Sequence, residues 1–217
     1  MLELSGYISL FIQFITGVID FIGLYVKVPP NMFIFRDILK IELVVQFVEF
    51  LFYIWMVLNF HKIKNITPYR YVDWFITTPI MLISLIAYLD SRSYTSIVDF
   101  MKDNTSFIGE IVLLNIMMLV FGLLGELKYI HYYTAILLGF IPFVYYFKRI
   151  YDEKINRETE KHKLYVYWFF VGIWTLYGVA ALFSYKWKNV SYNILDLFAK
   201  NGFGIFLVYL LWINREK

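Results

Sequence analysis

Lys200 lies in the middle of the last long apolar stretch of the chain, one helical turn after Asp196, within the run Asn193 to Gly204. A charged amine at bilayer depth costs about 2.5–3.5 kcal/mol to insert, so it needs a partner. Spacing i, i+4 puts the carboxylate and the amine on one helix face, where they share a polar interior. Two chemistries suit the pair. One is a structural ion pair; the other is an amine that forms a Schiff base with an aldehyde cofactor, its positive charge offset by Asp196.

Two further stripes could work with this lysine. Arg70, Asp73 and Thr77 recur at i, i+3 and i+7 on an otherwise apolar segment, so they share a face that must turn to the interior. There the Asp73 carboxylate would pair with the Lys200 amine, and Arg70 would offset a second negative charge if Asp73 and Asp196 are both ionised. Glu42, Gln46, Glu49 and Tyr53 fall at i, i+4, i+7 and i+11 on another segment. Two carboxylates in one span are costly unless hydrated or paired. Such a stripe is how a cation path is lined, although interior hydrogen bonding or an oligomer contact also accounts for it.

The elements that position these residues are membrane spans. Sixty percent of the residues are hydrophobic and the mean hydropathy is +0.62, far from the balance of a soluble domain. Apolar stretches of spanning length run over Leu4–Val28, Ile38–Phe60, Tyr71–Leu89, Ser106–Leu127, Tyr129–Phe147, Leu164–Tyr185 and Val190–Ile213. The expectation is an all-α membrane protein: one seven-transmembrane helix bundle over residues 1–217, with short connections and antiparallel neighbours. Most basic residues, among them Lys148, Arg149, Lys154, Arg157, Lys161, Lys163 and Lys217, fall in connections on one side. By the positive-inside rule the N-terminus is outside and the C-terminus inside. No basic leader or cleavage site precedes the first span, which then serves as an uncleaved insertion signal. The charged run Tyr151–His162 reads as a solvated connector, and Lys188 as part of an outer one.

Other chemistries find little support. Without cysteine there is no disulfide and no thiol nucleophile. His61, His131 and His162 sit near helix ends, without the shared-face spacing of a metal site. The formal charge of +3 belongs to membrane loops and implies no nucleic-acid partner. No repeat or phosphate-binding glycine loop is present, and an enzyme is not expected.

The two motifs Arg70-Tyr-x-Asp-Trp-x-x-Thr-Thr-Pro79 and Leu195-Asp-x-x-Ala-Lys-x-Gly-Phe-Gly204 resemble the microbial rhodopsins, the family of bacteriorhodopsin. The resemblance covers essentially the whole chain. It implies all-trans retinal bound covalently to Lys200 as a protonated Schiff base, with Asp73 the primary counterion and proton acceptor and Asp196 the second counterion. Arg70 would be the outward-side arginine, and Thr77 would hydrogen-bond Asp73. Trp74 and Trp174 match the tryptophans that sandwich the polyene, Tyr177 and Tyr53 match tyrosines beside the second counterion, and Met118 and Gly122 match the pocket wall. Gly178 and Ala181 replace a proline and a tryptophan common in pumps, so the ring end of the pocket should differ in shape.

A proton pump of this family carries a carboxylic donor where this chain has Ser84, and a hydroxyl cannot release a proton near neutral pH. The connection Ser184–Tyr192 also lacks any Asp or Glu that could form an acidic release pair. Channelrhodopsins instead carry a gate of a serine on the first helix, a glutamate on the second and an asparagine directly after the retinal lysine. Ser9, Glu49 and Asn201 match that set, while Thr78 and Asn115 stand where many algal channels carry a cysteine and an aspartate. The combination resembles the first group of viral rhodopsins, found in giant viruses of protists. That implies a light-gated cation channel in a cell membrane, such as that of a virus-infected protist host. Its partners would be retinal, membrane lipids and monovalent cations or protons, with a homo-oligomer left open. Asp20 is either a second constriction or interfacial. An outward proton pump and a photosensory rhodopsin are the alternatives.

Overall fold

The computed structural model describes residues 1–216, so Lys217, counted above among the basic residues, lies outside it. Among the described residues the secondary structure is helical throughout. The elements are α1 (Leu2–Gly23), a short 3₁₀ turn (Pro30–Met32), α2 (Phe33–Asn59), α3 (Thr67–Leu89), α4 (Ile97–Asp103), α5 (Thr105–Glu126), α6 (Tyr132–Lys154), α7 (Lys161–Ala181), α8 (Tyr185–Asp196), a π-helical turn (Leu197–Asn201) and α9 (Gly202–Ile213). The segment α8–π–α9 forms one span, so with α1, α2, α3, α5, α6 and α7 it makes the expected seven. Six of the spans are long and apolar enough by composition alone to cross a membrane. The seventh, α6, is as long but ends in Lys148, Arg149, Asp152, Glu153 and Lys154.

Several boundaries move from their expected places for local reasons. The first span stops at Gly23 rather than Val28, because Val28 precedes Pro29, which disfavours helical backbone before it. The loop after α3 folds into the extra helix α4, whose N-cap Ser96 accepts a hydrogen bond from the Val98 amide at 3.2 Å. α6 runs past Phe147 to Lys154, with Lys148 and Asp152 paired one turn apart at 2.5 Å. The last span begins at Tyr185 rather than Val190, so the stretch read as a connection is mostly helix.

The surface is that expected of a membrane span: Phe11, Leu58, Leu113, Leu137 and Ile141 are all more than half exposed. The buried apolar core packs α2, α3, α6, α7 and α9 around Leu82, Leu85, Ile86, Phe170, Phe203 and Leu207. A smaller aromatic cluster of Tyr71, Trp74 and Tyr192 lies between α3 and α8. Within this apolar frame, most buried polar groups lie on α1, α2, α3 and the last span, with Asn115 of α5 and Lys163 of α7 among the exceptions. With little hydrophobic drive between helices in lipid, such polar faces are part of what makes the helices associate.

Candidate functional site at the buried lysine

The Lys200 side chain is 2% exposed, and three carboxyl groups surround its amine. Nζ stands 2.5 Å from Asp73 Oδ2, 3.7 Å from Asp196 Oδ1 and 3.8 Å from Glu49 Oε1. The lysine sits in the π-helical turn, where an extra residue per turn re-aims the side chains. The i, i+4 pair with Asp196 therefore persists, but Asp73 on α3 is the nearer partner.

Asp196 is held on both oxygens. Tyr177 donates to Oδ1 at 2.7 Å, and Tyr53 donates to Oδ2 at 2.7 Å. Arg70 donates to Oδ2 from 3.3 Å, which places its charge on Asp196, as expected. The guanidinium is fully buried, and the last span supplies most of its acceptors: the Asn189 side chain at 3.0 Å, the Asn189 carbonyl at 3.4 Å and the Asn193 amide oxygen. The rings of Phe52, Tyr53 and Tyr192 lie 5.7–5.8 Å from its centre. Asn189 and Asn193 escaped the sequence reading, yet Asn189, Asn193, Asp196 and Lys200 recur at 4, 3 and 4. That is the same kind of stripe seen on the second and third spans.

Other expected contacts take different forms. Thr77 donates to the Asp73 backbone carbonyl at 2.9 Å, not to the carboxylate, and Thr78 likewise to the Trp74 carbonyl at 2.8 Å. Two successive hydroxyls thus back-bond just before Pro79, which lacks a backbone N–H and so loosens this turn. The same Thr78 hydroxyl lies 2.8 Å from the Asn115 side-chain amide, joining α3 to α5.

The three residues matched to a gate are all buried but do not bond one another. Ser9 does not back-bond within its own helix; it donates to the Asn193 carbonyl at 3.1 Å. The Asn201 amide donates to Thr16 at 2.8 Å, leaving its own oxygen without a partner. Both Glu49 oxygens lack hydrogen-bond partners. Thr16 was missed because a hydroxyl on an apolar helix carries little signal, although Ser9, Gln13, Thr16 and Asp20 repeat the 4-3-4 spacing. Glu42 is buried beside Ser84 of α3.

A cavity lies beside Lys200 between α3, α5, α6 and α7. It is walled by Trp74, Thr78, Met81, Met118, Leu119, Gly122, Gly139, Phe140, Phe143, Trp174 and Tyr177, among others, and Lys200 is the one charged group on its wall. Trp74 stands among Tyr71, Tyr177 and Tyr192, while Trp174 packs on Tyr146, Phe147 and Phe170. The two indoles therefore belong to different walls. Ala135, Gly178 and Ala181 also line the cavity; the Phe140 ring occupies the place a side chain on Gly178 would need.

Two ion clusters correct the loop reading. Lys188 is not a solvated loop residue: its amine pairs with Glu126 at 2.6 Å, with both side chains no more than 10% exposed. Nor is the segment after α6 merely solvated. Lys154 binds Asp90 at 2.8 Å, Arg92 binds Glu160 at 2.8 Å, and Lys163 donates to the Leu89 carbonyl at 2.9 Å, so both ends of the α6–α7 connection dock on the C-terminal end of α3.

This chain belongs to the bacteriorhodopsin-like family: the family model described as bacteriorhodopsin-like protein matches residues 3–214. Among solved structures it is similar to the viral rhodopsin OLPVRII, with 31% identity, a TM-score of 0.85 and 98% of each chain covered. The blue light-absorbing proteorhodopsin from Med12 shares the fold at 18% identity and a TM-score of 0.77, over 98% of this chain and 97% of that one. The thermophilic rhodopsin from Rubrobacter xylanophilus does so at 18% and 0.78, over 96% and 95%. No curated protein sequence matches. The protein is thus a multi-pass integral membrane protein with the seven-helix microbial rhodopsin fold.

Proposed function

We propose that the protein is a light-gated cation channel that binds all-trans retinal on Lys200. The observation that carries this reading is the buried polar face of α2 beside the lysine: Glu49 stands 3.8 Å from the amine, and Glu42 and Gln46 continue the same face away from it. A counterion cluster alone needs no second carboxyl two turns further along a neighbouring helix. The cavity suits the chromophore, being lined mainly by apolar and aromatic side chains with a lone amine on its wall. Bound there, retinal supplies absorption of light and a change of shape at the lysine nitrogen.

The chain's own residues would do the rest. Asp73 and Asp196 hold the positive nitrogen, and Asp73, the nearer at 2.5 Å, is placed to accept a proton from it. Arg70 and the two tyrosines keep Asp196 fixed while that happens. Asn201, next to Lys200 in the π turn, moves with it, and its bond to Thr16 is the link between α1 and the last span most directly strained. Parting of that link, with rearrangement at Glu49 and Ser9, wets a path among α1, α2, α3 and the last span, and cations flow down their gradient.

An outward proton pump is the second reading. It is favoured by the short Lys200–Asp73 contact and by Glu42, which places a carboxyl beside Ser84, where the helix itself offers only a hydroxyl. The deciding experiment is expression with all-trans retinal in a voltage-clamped cell under two sodium and two proton gradients. A photocurrent whose reversal potential follows the cation gradient supports the channel; an outward current that persists against every gradient overturns it in favour of the pump.

A further inference from the structure

Several polar groups on the wall of the cavity are already engaged. The Lys200 amine meets Asp73, the Tyr177 hydroxyl donates to Asp196, and the Thr78 hydroxyl rests against the Trp74 carbonyl and Asn115. Two tyrosine hydroxyls are not. Tyr71 and Tyr192 line the same cavity and are only 8% and 2% exposed, yet their hydroxyls enter no hydrogen bond among the described residues. Nor are these hydroxyls sealed inside protein, as the unpartnered Tyr88 hydroxyl is, so each opens on space. With so little of either residue reaching the outside, that space is the cavity.

The surrounding residues hold this arrangement in place. The Tyr71 hydroxyl stands 2.5 Å from the position a Cβ on Gly122 would take, so the glycine of α5 provides its niche. Tyr71 and Tyr192 both pack edge-on against Trp74, with ring centroids 5.0 and 5.1 Å from the indole. One tryptophan thus positions both phenols. Behind the niche the protein is polar. Glu126, one turn beyond Gly122 on α5, pairs with Lys188 and lies 3.2 Å from the Tyr132 hydroxyl, which donates to the Ala181 carbonyl.

A hydrocarbon lying over Tyr71 and Tyr192 would take their hydroxyls out of reach of water and offer no bond in return, which is unfavourable for a buried donor. A site with such donors selects a ligand that carries the matching atom. The aldehyde of retinal is consumed at Lys200, where it condenses with the amine and loses water, and the polyene carries only methyl groups. The ring is the part left to bear an oxygen. We propose that the cavity is built for a retinal with one oxygen on its ring, a ketone or a hydroxyl, received by Tyr71 and Tyr192. Both phenols can donate, and a single ring oxygen has two lone pairs to accept from them. This deepens the retinal reading and rests on it, but not on the choice between channel and pump.

The test is a competition. Full-length protein produced without chromophore, in lipid nanodiscs, is incubated to completion with an excess of an equimolar mixture of all-trans retinal and all-trans 3-hydroxyretinal. A parallel sample receives retinal and all-trans 4-ketoretinal. The bound aldehydes are released as oximes and counted by chromatography. One oxygenated form should be enriched about three- to tenfold over retinal, the range one hydrogen bond supports, and its identity tells ketone from hydroxyl. Tyr71→Phe, which keeps the ring and loses the hydroxyl, should return the ratio towards that of the mixture. Tyr192→Phe should act in the same direction and serves if the first variant does not fold. Bound aldehydes in the mixing ratio, or richer in plain retinal, would overturn the proposal and leave the retinal reading standing. An enrichment kept by both variants would place the selecting group elsewhere and overturn it equally. Absence of a visible band with all three aldehydes would sink the retinal reading and this inference with it.

Discussion

Asp73 and Glu49 approach the same amine from two helices, at 2.5 and 3.8 Å, and the difference between them separates two experiments. The nearer carboxyl balances the lysine; the farther one, unpartnered on both oxygens, is free to serve transport. Glu49→Ala and Asn201→Leu should therefore change photocurrent amplitude or ion selectivity while leaving retinal binding largely intact. Currents unchanged by both substitutions would remove these residues from the gate. Lys200→Ala should give a colourless protein with retinal present, since no other amine lines the cavity. Persistence of a visible band in that variant, without added amine, would place the attachment site elsewhere.

At the scale of elements, the chain ties its helix ends with buried charge. Glu126 at the end of α5 and Lys188 in the first turn of α8 form a shielded pair, and Tyr132 at the start of α6 packs under the amine, its hydroxyl 2.6 Å from the Ala181 carbonyl of α7. Removing one partner leaves the other charge buried and alone. Glu126→Gln or Lys188→Met should cost about 3–5 kcal/mol, whereas replacing both by apolar residues of similar volume should cost far less. Denaturant unfolding of the single and double variants in mixed micelles measures this directly; a loss in the double variant equal to the sum of the two single losses would show the pair to be inert. Legibility was poorest at this scale. Neither residue carries a periodic signal, because each sits within two turns of a helix end, and their pairing joins positions 62 residues apart. The extra helix α4 and the early start of α8 were hidden for the same reason: helix ends are decided by local caps and by what the neighbouring element offers.

For the whole molecule, charge asymmetry predicts the topology, and the chain is suited to testing it because its sequence has no cysteine. Single cysteines at Arg157, in the α6–α7 connection, and at Lys128, in the α5–α6 turn, should be labelled by a membrane-impermeant thiol reagent from opposite sides. With the N-terminus outside, R157C reacts only from the inside and K128C only from the outside; the reverse pattern would invert the assignment.

Composition and period alone determined the class of the fold, because a bilayer permits few solutions: an apolar run of spanning length must be helical, and a polar stripe within it must face inward. Hence the seven spans, the inward faces of α2, α3 and the last helix, and the meeting of Lys200 with Asp73 and Asp196 were all legible. Tertiary structure alone decided which partner each inward group takes. It gave Lys200 chiefly to Asp73, Arg70 to the asparagines as well as Asp196, Asn201 to Thr16 and Ser9 to Asn193. Period shows the face a side chain turns to; its partner depends on the relative depth and rotation of two helices, which are set only when all seven pack.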